Sequence, residues 1–493
     1  MGMKVVIVSS EVSPFAKTGG LADVTGTLSH VLKNMGCEVM VFLPFYREVW
    51  QKGIEAEKLD VDVAVPIDRR TLTVGIYRSM TLGGVPVYLL KRDEYYDRTY
   101  LYATPEGDYF DNLERFTLFS RAVVESLMAL KEIPDVIHCN DWQTGLIPAY
   151  IQSLYAPHFK ETATVFTIHN IAYQGLFPAT LFDITGLPQD MYNMEGVEFW
   201  GKINLLKAGI VYADVVTTVS EKYSKEIQTP EYGYGLEGVL KKRKDRLFGV
   251  LNGVDYSQWN PATDRYITAN YNEKDLSGKA LCKEDLIREF SLDIDPSVPL
   301  IGIISRFAEQ KGFDILSEAM DELMKLRLAI VILGTGEKRY QTLLSELASR
   351  YRGRLSVKIA FNEALAHKME AGCDFLLMPS RYEPCGLNQI YSLRYGTIPI
   401  VRATGGLDDT IRDYSEKDGN GFKFKEYSSK ALVEKVKEAL KVYRNKKRWQ
   451  TLQKRAMRED FSWQRSARTY LSIYKFAMNA KRGEISSTEM HKK

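Results

Sequence analysis

The side chains that could do chemistry in this chain gather in a few short motifs. Lys17-Thr18-Gly19-Gly20-Leu21-Ala22-Asp23-Val24 places a cation and two glycines ahead of a helix-periodic run, Val24, Leu28, Val31 and Leu32. Glycine admits close backbone approach, the first N–H groups of a helix lack internal partners, and Lys17 adds positive charge. The segment thus holds the parts of an anion pocket. It is neither a Walker loop, where the lysine follows the last glycine, nor a dinucleotide fingerprint. Taken alone, its Gly-Gly pair reads first as plain turn chemistry.

Five further motifs each end or follow an apolar run that predicts a strand. Ser305-Arg306-Phe307-Ala308-Glu309-Gln310-Lys311-Gly312 offers a guanidinium fork and a mobile ammonium for phosphate oxygens, or simply a charged surface loop. Thr167-Ile168-His169-Asn170 puts an imidazole where it can donate, carry a proton or bond a hydroxyl; a structural histidine is the alternative. His138-Cys139-Asn140-Asp141-Trp142 presents a carboxylate beside an aromatic, a common sugar-binding pair, with His138 itself reading as structural. Pro379-Ser380-Arg381-Tyr382-Glu383-Pro384-Cys385-Gly386-Leu387 leads from a strand to a helix near Leu387, so Glu383 either meets a ligand or stabilises the helix N-terminus. Ala403-Thr404-Gly405-Gly406-Leu407 repeats the Gly-Gly turn and offers a second anion cradle.

Other signals carry less. Asp60-Val61-Asp62 and Asp293-Ile294-Asp295 match the D-x-D of metal-dependent sugar transferases but read as surface acids. Lys241-Lys242-Arg243-Lys244 reads as a solvated helix end. Cys139 and Cys385 lack an evident histidine base, and neither H-E-x-x-H nor G-x-S-x-G is present. The five cysteines are scattered without a C-x-x-C, which argues for a reducing compartment. With no secretory pattern at the N-terminus, the expected location is cytoplasmic. A formal charge of +3 implies no nucleic-acid partner, and no apolar run reaches membrane-spanning length.

The elements that must position these groups alternate throughout. Val5–Ser9, Val39–Leu43, Val85–Leu90, Val136–Cys139, Val165–Ile168 and Val215–Val219 predict strands, several apolar on both faces as in a parallel sheet covered by helices. After Leu251-Asn252-Gly253-Val254-Asp255 comes a polar stretch to about Pro299. A second series then begins: Leu300–Ile304, Ala329–Leu333, Val357–Ala360, Phe375–Met378 and Ile398–Val401. At 493 residues the chain exceeds one core, so two doubly wound α/β domains are expected, with ligands in a cleft at the strands' carboxyl ends. Phe461 to Met478 predicts a packed helix carrying Trp463, Tyr470 and Tyr474, followed from about Ala480 by a frayed polar tail.

Taken together, these motifs resemble those of the bacterial glycogen synthases and plant starch synthases, glycosyltransferase family 5. Six of them stand in the family's order along nearly the whole chain: the Lys17–Val24 segment, Phe166–Asn170, Leu251–Asp255, Ser305-Arg306 with Lys311-Gly312, Glu383–Leu387 and Thr404–Leu407. The resemblance implies a glycosyltransferase B fold, two Rossmann-like domains facing across a cleft. It places an acceptor and catalytic domain at 1–250, a nucleotide-sugar domain at 251–460, and a helix at 461–493 crossing back to the first domain. It also implies ADP-glucose as donor and the non-reducing end of an α-1,4-glucan as acceptor; transfer with retention of configuration is expected, and no metal or other cofactor if Lys17, Arg306 and Lys311 carry the leaving charge. Oligomeric state stays open.

Carried over residue by residue, the resemblance gives Lys17, Gly20, Arg306 and Lys311 to the ADP diphosphate, in a pocket lined by Thr404 and its neighbouring glycines such as Gly405, and counts Gly19 among the substrate-binding residues. Asn252 lies in the matching Leu251–Asp255 motif and counts among the substrate-binding residues. His169 faces the transferred glucose, with Asp141 beside it; Glu383 and the Cys385-Gly386-Leu387 backbone bind its hydroxyls, and Asn170 counts among the substrate-binding residues. Phe361 falls where the family stacks an aromatic on adenine. Tyr391 stands where the wider fold group carries a second glutamate, which puts a carboxylate contact to ribose in doubt, and Gln143 stands where many relatives have histidine.

Overall fold

The computed structural model describes residues 2–484, and the chain divides into two units. Unit 1 holds the described residues up to Val219, Ser224–Val250 and those from Trp463 on; unit 2 holds Ser220–Tyr223 and Leu251–Ser462.

In unit 1 the buried run Val5 to Val8 forms β1 (Lys4–Val8), central in a nine-stranded sheet. The others are β2 (Glu38–Pro44), β3 (Glu57–Ile67), β4 (Arg70–Met80), β5 (Pro86–Lys91), β6 (Val136–Asn140), β7 (Ala163–Ile168), β8 (Val215–Thr218) and β9 (Leu247–Gly249). Their order is β9-β8-β7-β6-β1-β2-β5-β4-β3, parallel from β9 to β5 and closed at one edge by the antiparallel β3–β4 hairpin. That hairpin is absent from the sequence expectation, because its strands alternate apolar and polar residues instead of running apolar. Val63, Val65 and Ile67 are buried while Asp60 and Asp62 face solvent, so this D-x-D is the wet side of a strand. The basic run ends the helix Glu237–Lys242 with Lys241, Lys242 and Lys244 exposed as expected, but Arg243 is half-buried and donates to the Ala213 carbonyl.

Strands after β1 build outward on one side and β6 onward on the other, so winding reverses between β1 and β6. Ligands of such sheets bind outside the carboxyl ends at that point. The helix Gly20–Asn34 buries Ala22, Val24, Leu28, Val31 and Leu32 just after β1. The helix Trp463–Lys481 buries Trp463, Ala467, Tyr470, Tyr474 and Ala477 at helical spacing and packs on β7 and on Gly20–Asn34. The expectation of a polar tail concerns residues mostly beyond Glu484, outside the described residues.

Unit 2 is wound the same way. Its strands are β10 (Leu300–Ile304), β11 (Ala329–Gly334), β12 (Leu355–Ile359), β13 (Phe375–Met378), β14 (Ile398–Arg402) and β15 (Phe422–Phe424), all parallel, in the order β12-β11-β10-β13-β14-β15. Winding reverses between β10 and β13. The unit's first and last segments are tied together, Val254 donating its N–H to the Phe461 carbonyl (2.8 Å).

Candidate active site

In unit 1 the loops after β1, β6 and β7 carry the predicted groups. Lys17, Thr18 and Gly19 are exposed ahead of the helix Gly20–Asn34, and Gly20 is exposed at its first position. Lys17 Nζ reaches Asp23 Oδ1 of the same motif (2.8 Å) in a pair a third exposed, a weak surface contact. Sequence reasoning missed Glu11, which is 4% exposed and accepts N–H groups from Thr18 (2.5 Å) and Gly19 (3.1 Å). The Gly19 N–H is therefore occupied by an internal carboxylate. The only signal in the sequence was a lone acid following a strand.

Asp141, at the end of β6, has φ 57° and ψ 178°, a region that strains any residue with a side chain. Its Oδ1 accepts the His169 N–H (2.8 Å), and burial, opposed by that bond and by the Asn170 N–H and reinforced by the charge of Glu11, pushes its pKa up to about 7. His169, half-buried after β7, has its pKa pushed down to about 3 by burial. Asn140 gives its amide N–H to the Val8 carbonyl (3.1 Å), which turns its Oδ1 toward His169 Nε2 (2.9 Å). His169 is thus a neutral ring with its proton on Nε2, a hydrogen-bond donor rather than a proton carrier near neutrality. Asn170 folds its side chain onto the Ala172 N–H (3.1 Å) in a local turn. His138 is structural: buried, it bonds Tyr474 (2.8 Å) and Thr167 (2.6 Å).

In unit 2 the loops after β10 and β13 flank the reversal and are zipped together. Arg381 donates its N–H to the Gln310 carbonyl (2.8 Å), Gln310 Nε2 donates to the Tyr382 carbonyl (3.2 Å), and Asn388 Nδ2 to the Ile304 carbonyl (2.7 Å). Gly312 has φ 75°, and a Cβ there would lie 2.1 Å from the Pro379 carbonyl oxygen, so no other residue lets the loops meet this closely. The outcome is a direct ion pair between Lys311 Nζ and Glu383 Oε2 (2.6 Å), with Ser380 Oγ donating to the same oxygen (3.0 Å). The resemblance gives these two side chains separate duties; the structure joins them. Arg306 is exposed on the same loop as Lys311.

The second Gly-Gly turn packs under this loop. Gly405 has φ 45°, and a Cβ on it would lie 1.9 Å from the Glu383 carbonyl, which accepts the Gly406 N–H (3.1 Å). Its glycines serve close packing beneath Glu383, with buried Thr404 as their lead-in. Cys385 is buried, touched by the Asn252 N–H, and burial pushes its thiol up to about 12; burial raises Cys139 too, so neither is a nucleophilic thiolate. Asn252 is buried with its Oδ1 lacking a hydrogen-bond partner. Gly386 and Leu387 are partly exposed just before the helix Asn388–Arg394. Tyr391, on that helix, stacks on Trp259 (3.9 Å, 4°), which stacks on His367 (3.8 Å, 12°). Phe361 stands 84% exposed after β12.

All five cysteines are unpaired and buried. Among the described residues no three His, Cys, Asp or Glu side chains cluster to hold a metal, and no helix is long and apolar enough to cross a membrane.

The family described as the starch synthase catalytic domain matches residues 4–242, and glycosyl transferases group 1 matches 287–456. The chain is similar to the glycogen synthase of Koribacter versatilis, 48% identical over 480 residues, 96% of this chain and 98% of that one. It is 47% identical over 485 residues to glycogen synthase 2 of Geobacter sulfurreducens, covering 98% of this chain and 100% of that one. The catalytic domain of starch synthase IV from Arabidopsis thaliana, bound to ADP and acarbose, matches with a TM-score of 0.90 at 31% identity, over 97% of this chain and 100% of that one. A sucrose-phosphate synthase from Thermosynechococcus elongatus (TM-score 0.59, 15% identity, 97% and 100% covered) shares the fold. The chain therefore belongs to the glycogen and starch synthase family of glycosyltransferases, and its two sheet-bearing units carry the glycosyltransferase B fold.

Proposed function

We propose that the protein elongates an α-1,4-glucan, carrying glucose from ADP-glucose to the 4-hydroxyl of the non-reducing end with retention of configuration. The reading gives acceptor binding to unit 1 and the nucleotide sugar to unit 2, whose Arg306, Lys311 and Glu383 act with His169 of unit 1 in the chemistry. The observation that carries it is the Lys311–Glu383 pair at the winding reversal of unit 2, a cation and a carboxylate held together where a doubly wound sheet takes its ligand. The relative bound to ADP and acarbose supports the substrate classes.

In the proposed reaction the bond from the anomeric carbon to the phosphate oxygen breaks and ADP leaves with the electron pair. The acceptor oxygen bonds to the same face, and its proton passes to the departing phosphate. Arg306 and Lys311, with Lys17 also assigned to the diphosphate, neutralise the growing charge, so no metal is required of the mechanism. A double displacement needs a carboxylate free to attack the anomeric carbon. Glu383 has its Oε2 engaged by Lys311 and Ser380, which suits it, with His169, to orient the sugar during same-face return. Five buried, unpaired thiols accord with work in a reducing cytoplasm.

Labelled glucose should enter glycogen from ADP-glucose, in the presence of a chelator, well above the level from UDP-glucose. Equal or preferred use of UDP-glucose would overturn the donor assignment. Glu383→Ala should lower kcat by about 10²–10³, the usual cost of one electrostatic contact to a transition state; near-normal turnover would remove Glu383 from the chemistry.

A further inference from the structure

Lys17, Thr18, Gly19 and Gly20 are exposed, yet the segment has a definite conformation, and its anchor lies beneath it. The Glu11 carboxylate receives four donors: the N–H groups of Thr18 (2.5 Å) and Gly19 (3.1 Å), the Thr18 hydroxyl (2.6 Å) and the Tyr102 hydroxyl (2.8 Å). Among the described residues no lysine, arginine or histidine is ion-paired with it. A carboxylate without a cation is tolerated at this depth only when hydrogen bonds replace its water. Three of the four donors belong to the loop, so loop and charge are energetically linked: a loop that swings away strands Glu11.

The main chain of Glu11 is pinned as well. Its carbonyl accepts from Ser9 Oγ (2.7 Å) and Thr25 Oγ1 (2.7 Å), which ties the end of β1 to the first turns of the helix Gly20–Asn34. Tyr102 also meets Ser10 Oγ (2.8 Å), so a second loop is held to the same point. With the Thr18 and Gly19 N–H groups turned inward, the loop's outer side is left to Lys17 and the start of the helix.

We propose that Glu11 is the positioning residue of the Lys17–Gly20 loop, holding it from beneath so that Lys17 is presented to the phosphates of the nucleotide sugar. The phosphate half of this rests on the function proposed above. Glu11 touches no reacting atom; it acts through the loop.

The test pairs a ligand-free readout with kinetics on the full chain. Glu11→Asp keeps the charge but withdraws it by about 1.5 Å, one carbon–carbon bond. Amide exchange at Thr18 and Gly19 should then quicken about tenfold, with exchange in the sheet strands unchanged. The KM for ADP-glucose should rise about tenfold, with kcat and the glycogen KM within about threefold of wild type. Glu11→Gln, which keeps a neutral acceptor, should fall between. If Glu11→Asp does not fold, Tyr102→Phe removes one donor and should raise the donor KM about two- to threefold. Unchanged exchange at Thr18 and Gly19 would overturn the role of Glu11. So would faster exchange with an unchanged donor KM, provided Lys17→Ala raises that KM. A Lys17→Ala variant with an unchanged donor KM would instead overturn the phosphate reading, while the exchange result still decides whether Glu11 holds the loop.

Discussion

Lys311 and Glu383 show how one contact alters the reading of two residues. Each stood in its own motif, 72 positions apart, with its own duty; at 2.6 Å they are one unit. Their contributions are then non-additive. In a denaturant double-mutant cycle, Lys311→Ala and Glu383→Ala should together cost less than their summed effects, by about 0.5–3 kcal/mol. Strict additivity would mean that the pair does not persist in solution. Sequence identified both side chains through their motifs, but not Glu11 or Asn140. Nothing in the residue types distinguishes an acid that accepts two loop N–H groups, or an amide that fixes a histidine tautomer, from any other polar residue after a strand.

At the scale of elements, long apolar strands were legible because burial on both faces leaves no polar position to confuse the pattern. Leu300–Ile304 and Phe375–Met378 stand where the sequence predicts them. The β3–β4 hairpin was missed although its period of two is written in Leu59, Val61, Val63, Val65 and Ile67. The second Gly-Gly turn is legible in the sequence as a turn that offers an anion cradle; its close packing against the Glu383 carbonyl is not. Gly405→Ala tests this directly. A Cβ needing the space 1.9 Å from that oxygen must push the Glu383 loop aside, so kcat/KM for ADP-glucose should fall about a hundredfold while the KM for glycogen holds. Wild-type kinetics in that variant would show that the loop's position is not tied to the turn.

At the scale of the whole molecule, buried titrating groups of unit 1 shape its response to acid. His138 and His169 both have pKa values near 3, against 6.5 unperturbed, whereas Asp141 is raised to about 7 from 3.8. Between the unperturbed values of 3.8 and 6.5, unfolding takes up a proton on each imidazole and releases one from Asp141. These three groups therefore cost unit 1 stability as pH falls through that window, by about 1.4 kcal/mol per pH unit for the one net proton. Asp141→Asn removes the opposing carboxyl, so the decline should steepen by about one more proton's worth. Denaturant midpoints of the unit 1 transition across this range check it, and equal slopes for variant and wild type would contradict the protonated state of Asp141.

Sequence by itself determined the family, the two α/β series and the motifs at strand ends, because each is local: a run of apolar residues, a glycine pair, a cation at a set spacing. Tertiary structure alone decided what those groups touch. It spent the Gly19 N–H on Glu11, joined Lys311 to Glu383, strained Asp141 beneath the His169 N–H, and stacked Tyr391 on Trp259. Such contacts join residues far apart in the chain, and their strength depends on burial and on angles that no residue's neighbours in sequence specify.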